Sequence, residues 1–85
     1  MKIFVVNYDL RHARNYDALY RRLESLGGKR VLESMWTLKL SDTNTCAGLR
    51  DDLLEYMDSD DGIYVACISS SAWHKPDNQP HRYEE

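Results

Sequence analysis

The residues best equipped for chemistry stand together in Tyr8-Asp9-Leu10, followed by Arg11, His12 and Arg14. An acidic side chain fixed at the end of a strand can hold Mg²⁺ or Mn²⁺, which takes oxygen ligands and usually keeps several waters. One carboxylate per chain makes half a site. A symmetric dimer would bring two copies of Asp9 to one axis, and phosphate oxygens would complete the coordination. Arg11 and Arg14 would then clamp the phosphate. A role for Asp9 in capping the turn after the strand accounts for the same residue without chemistry. His12 could carry a proton or contact phosphate, or sit on the surface as a loop histidine. His74 and His81 have no Cys or carboxylate at metal-ligand spacing. Cys46 and Cys67 are too few for a disulfide framework and read as small buried hydrophobes. Gly-rich phosphate loops, nucleophile elbows and thiol–histidine pairs are absent.

The elements that must position these residues follow from periodicity. Lys2 to Tyr8 is rich in β-branched and aromatic residues, and Ile3-Phe4-Val5-Val6 is apolar without a break. That pattern predicts a central strand covered on both faces. Asn15 is a candidate N-cap, and Tyr16, Leu19, Tyr20, Leu23 and Leu26 form one helical stripe that Gly27-Gly28 stops. A strand over 29–33, a tight turn or bulge near Ser34 and a strand over 35–40 come next. Ser41 to Thr45 is a turn carrying N-cap residue types. Cys46, Leu49, Leu53, Tyr56 and Met57 make a second stripe, with Asp51 and Asp52 placed near the favourable end of the helix dipole. Ile63 to Ile68 is the last strand. The order β-α-β-β-α-β predicts an α+β, ferredoxin-like fold. Its antiparallel sheet is ordered 4-1-3-2 with both helices on one face. Residues 1–68 form this domain and 69–85 a polar C-terminal tail, either loose or docked. The fold by itself decides no function.

Composition bounds the classes. Eighty-five residues with 42% hydrophobic and 29% charged side chains describe one small soluble domain, too short for a cleft between lobes. Its hydrophobic runs fall short of a membrane span, and the N-terminus lacks a signal-peptide pattern, so the expected location is the cytoplasm. The net charge of −3 hides a split. Residues 1–40 carry eight Lys/Arg and four Asp/Glu, or +4, and residues 41–85 carry three and ten, or −7. The half with Asp9 can therefore attract phosphate although the whole chain is acidic. Trp36 belongs to the core or, on the helix-free face, to a base-stacking surface. The first and third strands lack the aromatic RNA-recognition signature, which argues against stacking.

Two segments carry a resemblance. Val6-Asn7-Tyr8-Asp9-Leu10 resembles the Y-D-(V/I/L) ending of the first strand in the small CRISPR-associated endonuclease family, the second of the two universal adaptation proteins. Arg30-Val31-Leu32-Glu33-Ser34-Met35-Trp36-Thr37-Leu38 resembles that family's R-V-Q-x-S-V-F-E segment, with Ser34 at its serine and Trp36 at its phenylalanine. The Asn-Tyr-Asp-Leu form looks SinR-like, in a branch that includes VapD-type toxin ribonucleases. The resemblance implies a homodimer with facing sheets and metal-dependent phosphodiester hydrolysis of RNA or DNA, a hydrolase of antiviral defence. It also implies, as an alternative, a non-catalytic dimeric scaffold that binds nucleic acid or, through the tail, a protein. Asp9 carries over as the metal residue, and Tyr8, Ser34 and Trp36 as motif positions. Leu32 and Thr37 depart from the family's glutamine and glutamate.

Overall fold

Alternation along the first strand sorts its side chains onto two faces. Phe4, Val6 and Tyr8 are buried on one, and Asn7 and Asp9 are exposed on the other. This strand, β1, spans Lys2–Asp9 and is followed by α1 (Asp17–Ser25), β2 (Lys29–Leu32), β3 (Met35–Leu40), α2 (Cys46–Leu54) and β4 (Gly62–Ile68). The computed structural model describes residues 1–10, 16–78, 80 and 81. The sheet order is β2-β3-β1-β4, and each neighbouring pair is antiparallel. This is the expected ferredoxin-like order, read from the opposite edge.

Leu19 and Leu23 of α1 and Leu49 and Leu53 of α2 share one core with Phe4, Val6, Tyr8, Trp36 and Leu38. Both helices therefore cover the same face. The core explains why the two apolar stripes fold as helices, since packing supplies most helical stability in short segments. Thr45 caps α2 by accepting from the Gly48 N–H at 3.0 Å. The end of α1 is a Schellman motif. The Gly28 N–H reaches the Leu23 carbonyl and the Gly27 N–H the Glu24 carbonyl, each at 2.9 Å, with Gly27 left-handed at φ 77°.

Three expectations need correction. The cap position of α1 is Tyr16, which makes no side-chain cap bond, and the candidate cap Asn15 lies outside the described residues. The first turn of α2 holds no acidic residue. Asp52 lies further along and accepts two hydrogen bonds from Arg22 of α1, at 2.9 and 2.6 Å. Cys67 is exposed and Cys46 half-buried, so neither is a core residue. As the expected order implies, β4 is an edge strand with one neighbour, and its cover on the helix side is carried by Ile63 and Val65. The irregularity between β2 and β3 is also resolved into two features. Glu33 and Ser34 form the turn, and a separate register shift falls between Arg30 and Leu32, where Val31 is the extra residue.

The tail is docked. It doubles back over the helix-free face, where it meets Val5, Val31, Thr37 and Ile68 across an apolar cavity of about 260 Å³. Pro80 is buried there. Among the described residues no helix is long and apolar enough to cross a membrane.

Candidate functional site

Asp9 occupies the last position of a central strand, paired with Gly62 of β4. Its placement is set by the residue before it. Tyr8 is turned into the core, where burial and hydrogen bonding fix the phenol, and alternation then turns Asp9 outward. The Trp36 indole Nε1 donates to the Tyr8 hydroxyl oxygen at 3.0 Å. Trp36 is 5% exposed, so it is a core residue on the helix side and is unavailable for base stacking. Tyr20 of α1 lies over this pair, with ring centroids 6.3 Å from Tyr8 and 6.2 Å from Trp36. The Arg30 guanidinium sits 5.0 Å from the centre of the Tyr20 ring. Burial pushes the Tyr8 phenol up to about 12, with the Trp36 hydrogen bond opposing that rise. Tyr8 is thus a neutral structural phenol at neutral pH.

Two open depressions flank Asp9. One, of about 360 Å³, is lined by Asn7, Tyr8, Asp9, Gly62, Ile63 and Tyr64. Tyr64 is 70% exposed at its rim. The other, of about 250 Å³, lies towards the β2–β3 turn and adds Leu10, Tyr20, Arg30, Glu33 and Ser34 to Tyr8 and Asp9. Ser34 is fixed on both sides. Its carbonyl accepts from the Tyr8 N–H at 3.1 Å, and its hydroxyl donates to the Asn7 side-chain oxygen at 3.3 Å. The Arg30 guanidinium donates to the Glu33 carbonyl and braces the same turn.

The structure therefore brings Tyr8, Asp9 and Ser34 to one strand end, with Trp36 beneath them. Arg11, His12 and Arg14 lie outside the described residues. Arg30 was not singled out from the sequence as a site residue, yet it lines the depression beside Asp9. Its signal in the sequence is its place at the head of the Arg30–Leu38 motif segment, and the strand register sets it opposite Trp36. Among the described residues, no three His, Cys, Asp or Glu side chains gather as a metal cluster. Asp9 suits a hard cation by its oxygen chemistry and its exposure, and it is the carboxylate of the strand end itself, with Glu33 of the neighbouring turn lining the same depression.

The model of the family described as CRISPR associated protein Cas2 matches residues 1–75. The chain belongs to the CRISPR-associated Cas2 family. The match spans all six elements and continues seven residues past the end of β4. No solved structure matches the chain significantly. In this Cas2-family chain the serine and aromatic motif positions serve the strand end mechanically. Ser34 ties the β2–β3 turn to β1, and Trp36 holds Tyr8. Thr37, where a glutamate was expected from the family pattern, is 2% exposed and bonded to the tail.

Proposed function

We propose that the chain acts as a homodimeric, divalent-metal-dependent endonuclease, and specifically an endoribonuclease of the SinR- and VapD-like branch. The observation that carries this reading is the placement of Asp9, exposed at the end of a central strand whose preceding residue is locked into the core. Family membership supports the same reading. Asp9 and its copy in a second chain would hold Mg²⁺ or Mn²⁺. When bound, such an ion supplies Lewis-acid stabilisation of charge on the phosphodiester. The chain's own contribution is to present the carboxylate rigidly and to hold the phosphate through Arg11 or Arg14. A second copy docking on the helix-free face meets the tail, so pairing must displace it or enclose it.

The deciding experiment is cleavage of single-stranded RNA and of duplex DNA by the purified full chain, with and without Mg²⁺ or Mn²⁺. Asp9→Ala abolishes cleavage and leaves sedimentation and folding unchanged. Cleavage that survives this substitution refutes the assignment. Sedimentation as a monomer at micromolar concentration under cleavage conditions refutes the shared site.

A non-catalytic dimeric scaffold is the second reading, favoured by the single carboxylate at the strand end. On that reading nucleic acid is captured without cleavage, and Asp9→Ala leaves capture unchanged.

A further inference from the structure

We propose that residues 69–78 with Pro80 and His81 form an acid-releasable strap, latched onto the helix-free face by His81 and Thr37. The latch is a pair of hydrogen bonds that use one threonine hydroxyl in both directions. The Thr37 oxygen accepts from the His81 backbone N–H at 3.2 Å. Its own proton is then free to go to His81 Nδ1, 3.0 Å away. That arrangement requires Nδ1 to be the unprotonated nitrogen, so the imidazole must be neutral with its proton on Nε2. This tautomer is inferred from the bonding pattern.

Protonation removes the acceptor. Nδ1–H can then keep the contact only if the Thr37 hydroxyl turns its proton away. Thr37 is 2% exposed, so its hydroxyl proton has no water to turn to. The surrounding charges act in the same sense. Among the described residues, Lys29 from β2 and Lys39 from β3 bear on His81, and both disfavour a positive charge there. Burial is the largest of the influences and holds His81 below its ordinary range, against a hydrogen bond to the Thr37 backbone that favours the charged form.

The rest of the strap is lightly held. The Asp77 N–H donates to the Val31 carbonyl at 2.7 Å, and the Asn78 side-chain amide donates to the Arg30 carbonyl at 2.8 Å. Successive carbonyls of a regular strand point to opposite edges. The bulge at Val31 breaks that alternation and accounts for two neighbouring carbonyls facing the strap. Between these bonds and the end of β4 the chain runs through Ser69 to Lys75, all exposed, with Lys75 in the left-handed region at φ 49°. A lysine there is strained. Under the strap lies the apolar cavity walled by Val5, Val31 and Ile68. Release would open that wall to solvent.

The sign follows from linkage. A histidine held below its free value favours the docked strap above about pH 6.5, and docking weakens as pH falls through the value of the docked state. Hydrogen exchange on the full chain, corrected for intrinsic rates, reads this directly at the amides of Asp77 and His81. Protection at pH 7.5 falls at pH 5.5, by at most about tenfold, since one pH unit separates pH 5.5 from the free histidine value. His81→Asn keeps an acceptor at the Nδ1 position and cannot titrate, so its strap stays protected at both pH values. Thr37→Val keeps the shape and removes the latch, so its strap exchanges fast at both. Amide exchange of β1 reports in each variant that the domain stays folded. Equal protection of the wild-type strap at both pH values overturns the proposal. So does an acid loss of protection that persists in His81→Asn, or a Thr37→Val strap as protected as the wild type at pH 7.5.

Discussion

Trp36 and Tyr8 come from two antiparallel central strands and meet as donor and acceptor at 3.0 Å inside the core. Val6 lies directly opposite Trp36, and Tyr8, two residues on, is its diagonal neighbour on the same face. Asp9, the next residue, is turned outward by this contact. A bond between two buried aromatics thus fixes the direction of the acidic side chain that ends β1.

Trp36→Phe leaves a smaller ring and removes a partner from the buried Tyr8 hydroxyl. The expected loss of unfolding free energy is about 2–4 kcal/mol, combining a lost buried hydrogen bond with a partly filled cavity. Denaturant titration measures it. Tyr8→Phe strands the indole N–H instead and costs about 1–3 kcal/mol.

The Tyr8 phenol also makes an alkaline signature. Its folded value, about 12, lies above the unfolded value of 10.0. Its contribution is therefore fully present below pH 10 and is lost as pH rises through the folded value. Thermal melts between pH 9 and 12 should show a decline that Tyr8→Phe reduces, and ultraviolet titration should find one tyrosine ionising late.

The Arg22–Asp52 pair joins α1 to α2, and Arg22 also lies 5.8 Å from the centre of the Tyr56 ring. Hydrogen bonding to Arg22 holds the Asp52 carboxyl below its usual range. The stabilisation is present above the unfolded carboxyl pKa, about 3.9, and is lost as pH falls through the folded value. Asp52→Asn should lower stability at pH 7 and flatten the acid limb of a melting-temperature profile. An acid limb identical to that of the wild type would mean the pair is not linked to folding.

At Gly28, a β-carbon would lie 2.7 Å from the Leu23 carbonyl oxygen and 3.1 Å from Trp36. Backbone and a packed indole leave little room to relax. Gly28→Ala should therefore destabilise by about 1–3 kcal/mol, the usual range for overpacking, measured by denaturant unfolding. The same change at Gly27 meets no atom within 4 Å, but its left-handed φ strains a side chain.

Much of this was legible in the residues. The two helical stripes, the unbroken apolar run of β1 and the Gly27-Gly28 stop are local patterns, and each led to the element observed. Hence the element order and sheet order could be read, because hydrophobic periodicity depends on neighbours in the chain. Asp9 could be placed at a strand end for the same reason. The Tyr8–Trp36 bond could not be read, because it depends on the register between two strands 28 residues apart. Arg30 gave only a motif letter until that register placed it beside Asp9. Cys67 reads as buried from its apolar neighbours, but an apolar run does not show how far the cover reaches along an edge strand.

The tail shows the division most sharply. Its prolines, serines and isolated His81 have no periodicity, so the sequence alone left it loose or docked. Only the tertiary structure places His81 against Thr37, 44 residues earlier in the chain, with Lys29 and Lys39 bearing on it. The sequence by itself determined the elements, their order and the residue that ends β1, since these follow from short-range patterns of apolar and turn-forming side chains. The tertiary structure decided which groups share a hydrogen bond and which face is covered, since those depend on long-range register, and local sequence carries no record of it.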